Sequence, residues 1–118
     1  MEFNITRVYS DANGDSRFED VKIPLYAAGP IGYLSEKFEV ENMVLRKVIP
    51  SYDYDFHTAP TRQFIILLDG KIEIETSLGD KRMFSAGDIL QMEDITGKGH
   101  KTKNLEAIER RSVFITFK

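Results

Sequence analysis

His57 and His100 are the only histidines in the chain, and cysteine is absent. Any imidazole chemistry must use one or both of them. The lack of cysteine removes disulfides, thiolate metal sites and a cysteine nucleophile together. Neutral imidazoles are ligands for divalent metals. The plainer alternative is a pair of histidines that hydrogen-bond inside a pocket. In an extended strand Asp53, Asp55 and His57 share one face, so Asp55 offers a carboxylate beside an imidazole. Other chemistries lack their residues. No Gly-x-Ser-x-Gly elbow supports serine hydrolysis. Thr96-Gly97-Lys98-Gly99-His100 lacks the upstream glycine of a phosphate-binding loop, and it reads as a glycine turn that delivers His100. Asp11-Ala12-Asn13-Gly14-Asp15 places its glycine too early for a calcium loop and has no closing glutamate, so it reads as a turn.

The elements that must position these residues are strands. Glycine and proline recur at short intervals, and the stretches between are rich in Val, Ile, Phe and Tyr. Strands are predicted near Phe3–Tyr9, Phe18–Pro24, Gly32–Phe38, Met43–Ile49, Gln63–Asp69, Lys71–Thr76, Lys81–Phe84, Asp88–Met92, Gly99–Asn104 and Ser112–Phe117. Ile72 and Ile74 alternate with Glu73 and Glu75, which predicts a half-exposed strand. Phe64 to Leu68 is apolar on both faces and predicts a strand covered on both sides. Asp69-Gly70 favours a tight hairpin between those two strands, with positive φ. Only Asn104–Arg111 reads as helical, over barely two turns. Short strands at this spacing predict an all-β fold, a closed barrel or a two-sheet jelly roll.

The stretch from about Ser51 to Asn104 resembles the cupin superfamily, whose two motifs are His-x-His, three or four residues, Glu, six residues, Gly; and Gly, five residues, Pro-x-Gly, two residues, His, three residues, Asn. Gly70 matches the glycine that closes the first motif. Counting back from it puts Gln63 at the glutamate, Ala59 at the second histidine and His57 at the first. Gly97, His100 and Asn104 fit the closing half of the second motif, while Glu93 occupies its proline position and two extra residues follow. The resemblance implies a cupin-type double-stranded β-helix, a jelly-roll barrel of two antiparallel sheets, over residues 1–118 as a single domain. It also implies a divalent transition metal (iron, zinc, nickel, copper or manganese) held inside the barrel. The corresponding ligands here are His57, Gln63 and His100, with Asp55 or Glu93 as a further carboxylate. A set of two imidazoles and an amide neutralises no charge, which weakens metal affinity relative to the family pattern.

Two functions follow from that resemblance. One is a metal-dependent enzyme of oxygenase or isomerase type acting on a small polar metabolite. The other is a non-catalytic sensor or carrier that uses the same three residues as hydrogen-bond partners. Composition limits the rest. With 118 residues, 42% hydrophobic and 30% charged, the chain can bury a core without a metal or disulfide. The net charge of −3 and pI of about 5.4 argue against a nucleic-acid binder that neutralises phosphates. No apolar run approaches the ~20 residues that span a bilayer, and the N-terminus lacks a signal pattern, so a cytoplasmic location without membrane contact is expected. Small cupins commonly pair, and surplus apolar strand near Phe3–Tyr9 and Ile31–Phe38 predicts a homodimer.

Overall fold

The computed structural model describes residues 1–118, which form twelve strands and one short 3-10 turn at Gly29–Ile31. In chain order the strands are β1 (Glu2–Ser10), β2 (Ser16–Pro24), β3 (Tyr26–Ala27), β4 (Tyr33–Leu34), β5 (Val40–Val48) and β6 (Asp53–His57). Then come β7 (Gln63–Leu67), β8 (Lys71–Thr76), β9 (Lys81–Ser85), β10 (Ile89–Glu93), β11 (His100–Asn104) and β12 (Arg110–Phe117). One sheet has the order β2-β1-β10-β7-β12-β5 and the facing sheet the order β6-β11-β8-β9. From β5 to β12 the chain passes repeatedly between the sheets, and the eight strands form a jelly roll of two four-stranded layers. This is the cupin-type double-stranded β-helix.

The expected pair of purely antiparallel sheets needs one correction. The β1–β2 hairpin extends the first layer, and β1 runs parallel to β10, so that sheet is mixed. The hairpin covers an edge of β10 that the bare jelly roll would leave open.

Local sequence accounts for most elements. In β8, Ile72, Ile74 and Thr76 are buried while Glu73 and Glu75 face outward toward Lys103 and Lys81. Leu67 of β7 turns inward, and Phe64 on its other face meets Phe38 and Phe117 edge-on at ring distances of 5.1 and 4.6 Å. The core between the layers is Val8, Ala59, Leu67, Ile72, Ile74, Phe84, Leu90 and Met92. Each such large side chain contributes about 1.5–3 kcal/mol by leaving water.

Three expectations about local structure fail. Asp69-Gly70 has the positive φ that was expected, +74°, but it does not close a hairpin. β7 and β8 belong to opposite sheets, so this turn is the corner where the chain changes layer. Asn104–Arg111 forms no helix. Leu105 donates its N–H to Lys71 and Asn104 donates to Tyr52, so neighbouring strands take the bonds a helix would have used. A segment so short has little helical stability of its own. The strand expected over Gly32–Phe38 shrinks to Tyr33–Leu34, paired with Tyr26–Ala27. No helix is long and apolar enough to cross a membrane.

Candidate functional site

A cavity of about 310 Å³ opens between the two layers. His57, Gln63 and His100 all line it. They come from β6, β7 and β11, two strands of one layer and one of the other. The cavity floor is apolar, built from Ile65, Leu67, Ile72, Ile74, Leu90 and Met92. Ala59 also lines it, as a methyl group where the cupin pattern has a second histidine.

The two imidazoles are close, with ring centroids 4.5 Å apart. β6 and β11 are adjacent strands, and their register sets His57 opposite His100. Each ring has its Nδ1 engaged by an oxygen. His57 Nδ1 donates to the Asp55 carbonyl at 2.8 Å, and since a carbonyl only accepts, the proton of the neutral ring is on Nδ1. His100 Nδ1 donates to the Asp94 carboxylate at 2.5 Å. In the neutral rings this leaves both Nε2 atoms as lone-pair donors. Burial lowers the His57 pKa from its ordinary value of 6.5, and the neighbouring His100 and Arg46 lower it further, against the Asp55 hydrogen bond. Gln63 is buried and lines the same cavity. Its amide can donate and accept.

Asp94 is the residue that sequence reasoning missed. Its side chain is fully buried, one carboxylate oxygen is taken by His100, and the other has no partner. The signal was present in the alternation of β10. Leu90 and Met92 face the core, and the next position on that face is Asp94. Glu93 lies on the opposite face. There Arg7 and Arg62 both bind its carboxylate, Arg7 at 2.5 Å. Burial would raise the Glu93 pKa, but the hydrogen bonds and charges of the two arginines outweigh it and hold the group below the ordinary glutamate range. Glu93 is thus an outward ion-pair hub and is not brought to the cavity.

Asp55 is not brought there either. Simple alternation would put Asp55 and His57 on one face. The β6–β11 ladder instead pairs His57 with His100 and Tyr54 with Thr102, so three steps on β6 match two on β11. This bulge changes the phase of the strand, and Tyr54 and His57 face the cavity together. The exposed Asp55 carboxylate caps the N–H of Phe56.

His100 enters the cavity because two glycines let the preceding loop pass close to other backbone. Gly97 and Gly99 have φ of +80° and +72°. The loop is held by the turn of the β1–β2 hairpin. Lys98 N–H donates to the Gly14 carbonyl at 2.9 Å, and the Ser16 hydroxyl donates to the Gly99 carbonyl at 2.7 Å. The added hairpin therefore clamps the segment that presents His100.

As a donor set for a metal, the cavity supplies two oriented imidazole nitrogens and one amide oxygen. No group of three or more His, Asp or Glu residues converges anywhere in the chain. Imidazole nitrogens and an amide oxygen are ligand types that a divalent transition metal accepts.

The fold and cavity define a cupin-type chamber. Among solved structures, the chain is similar to protein NMB1881 from Neisseria meningitidis, with a TM-score of 0.47 and 16% identity over 70% of this chain and 84% of that one. It is also similar to a candidate ethanolamine utilization protein Q from Salmonella typhimurium LT2, with a TM-score of 0.41 and 15% identity over 99% of this chain and 97% of that one. No protein-family model and no curated protein matches the chain.

Proposed function

We propose that the barrel is a binding chamber for a small metabolite, with His57, His100 and Gln63 holding a divalent transition metal. The observation that carries this reading is the anchoring of both rings. Each Nδ1–H is fixed on an oxygen, so each Nε2 is left as a donor beside the same cavity. A bound ion would supply a Lewis-acid centre with open positions for a ligand oxygen.

The test is zinc titration of protein that has been stripped of metal and carries no histidine tag. One zinc per chain is expected in the wild type, and none in His57→Ala or His100→Ala. Gln63→Glu should bind more tightly because it adds a carboxylate, and Gln63→Ala should lose less than either histidine variant because water can replace a neutral amide oxygen. Binding should weaken at acid pH as protons compete for the ring nitrogens. Burial lowers the His57 pKa, so competition at that ring begins only below its ordinary value of 6.5. Equal, tight binding by wild type and His100→Ala would exclude this site.

The second reading is a metal-free chamber, and the lack of a carboxylate in the donor set favours it. It predicts no stoichiometric zinc in the wild type and a gain only in Gln63→Glu, alone or with Ala59→His.

The assembly proposed alongside is a homodimer formed through β5. That strand is nine residues long, lies at the edge of its sheet, and exposes Met43, Leu45 and, just beyond it, Ile49. An open apolar edge favours pairing with a second copy. Light scattering should give a particle of twice 13.5 kDa. Leu45→Lys should return it to the monomer mass, and a wild type already monomeric at micromolar concentration would overturn the proposal.

A further inference from the structure

Two guanidinium groups stand in the barrel wall without a carboxylate. Arg46 lines the cavity, and its Nε donates to the Ser112 hydroxyl at 3.2 Å across the β5–β12 ladder. Its charged carbon lies 4.4 Å from the Phe114 ring centroid and 5.5 Å from that of Tyr52. Arg110 is 1% exposed. Its Nε donates to Asn104, and its two terminal nitrogens are buried with no partner. It sits 5.6 Å from the same Tyr52 ring. Neither arginine takes part in any salt bridge of the structure, in contrast to Arg7, Arg17, Arg62, Arg82 and Arg111.

The cavity lining holds no aspartate or glutamate. Arg46 is the one arginine or lysine in that lining, and the nearest buried carboxylate, Asp94 behind His100, is engaged by that ring. A buried charge without a counter-ion is costly, and unpartnered guanidinium N–H groups add to that cost. Those costs fall on Arg110, which does not line the cavity; Arg46 is partly buried, and an anion in the cavity would engage its terminal N–H groups, which form no hydrogen bond within the chain. A planar guanidinium matches a carboxylate best, because it can offer two parallel N–H donors. The surroundings restrict the rest of the molecule. From Arg46 a wall of rings runs through Tyr52, Tyr54 and His57 to His100, with successive centroids 6.3, 3.8 and 4.5 Å apart. The facing floor is aliphatic.

We propose that the chamber takes a small organic carboxylate with an apolar body, its charged head on Arg46 and its body over the aliphatic floor toward His57 and His100. Arg110 reinforces the positive potential behind Tyr52 without needing to touch the ligand. The inference rests on the chamber reading and adds the charge and class of the ligand. It is independent of whether a metal is bound.

The experiment uses full-length protein stripped of metal, with binding followed by calorimetry and by the methyl and imidazole resonances of the cavity. The probes are the straight-chain carboxylates from acetate to octanoate and the matching neutral amides. At least one carboxylate is expected to bind about tenfold or more tightly than its amide, as a charge-assisted hydrogen bond implies. That preference should vanish in Arg46→Met, survive partly in Arg46→Lys, and shrink with added salt. Arg46→Gln, folded by circular dichroism, serves if Arg46→Met does not fold. Saturable binding of amides and carboxylates with equal affinity would overturn the anion assignment and leave the chamber reading intact. Absence of binding by both series would overturn it too, and the chamber reading would then stand or fall on the zinc titration. A carboxylate preference retained in full by Arg46→Met would place the anion elsewhere and defeat the proposal.

Discussion

Replacing Gly99 by alanine is expected to destabilise the protein by about 3 kcal/mol or more and to break the alignment of His57 with His100. A Cβ at this position would lie 2.1 Å from the His57 carbonyl oxygen, 2.3 Å from its carbon and 2.8 Å from the Thr58 nitrogen. All three are backbone atoms of His57 and the residue after it, at the end of β6, so no side chain can rotate away. The φ of +72° adds strain that alanine does not relieve. Gly79 is the control. Its φ is +88°, but a Cβ there meets nothing within 4 Å, so Gly79→Ala should show only the conformational strain of about 1 kcal/mol. Urea midpoints of the two variants separate the effects. Equal loss in both would mean that the β11 loop and β6 do not approach as closely as described. If Gly99→Ala folds, it should also lose zinc binding, because the loop that presents His100 has moved.

Gly99 and Gly79 share a positive φ and differ in what packs against them, a difference that sequence does not display. Gly97 and Gly99 were legible as a turn before His100. That the turn needs glycine because it passes against the His57 backbone on one side and Gly14 on the other is long-range information that no local pattern holds. Strands with strict alternation, such as Lys71–Thr76, were legible because one face must be dry. The meeting of His57, Gln63 and His100 in one cavity was anticipated from motif spacing. The fate of the two further carboxylates was not. Asp55 depended on a period of two that a bulge in β6 interrupts, and bulges are set by the partner strand. Glu93 was expected to reach the site from the loop inserted before Gly97, but it ends β10, where the alternation of Leu90, Met92 and Asp94 assigns it to the outer face. There Arg7, some eighty residues earlier in the chain, claims it through the β1–β10 pairing. The Asp69-Gly70 corner shows the same limit. The dipeptide fixed the sign of φ and left open whether the next strand returns to the same sheet.

Asp94→Asn should lower zinc affinity by about 10–100-fold while leaving the fold in place. The substitution keeps the size of a fully buried side chain, so packing around it changes little. What changes is the group that faces His100 Nδ1. A carboxylate can only accept, which keeps the proton on Nδ1 and the lone pair on Nε2. An amide can turn its NH₂ toward Nδ1 and drive the proton to Nε2, where it blocks the metal; the same loss of tautomer control is known from the aspartate of serine-protease triads. The partner-free second oxygen of Asp94 leaves the amide without a neighbour to fix which way it points. Asp94→Ala is the harsher companion. It removes the acceptor and leaves a buried N–H unsatisfied, a loss of about 1–3 kcal/mol in stability as well as in affinity. Nitrogen NMR of the metal-free protein reads the tautomer directly, so the orienting role can be measured even where no zinc binds. Wild type should show His100 protonated on Nδ1, and Asp94→Asn should show a mixture. An unchanged tautomer together with unchanged zinc affinity in Asp94→Asn would mean that the carboxylate does not set the ring, and the reason for its burial would have to lie outside the imidazole pair.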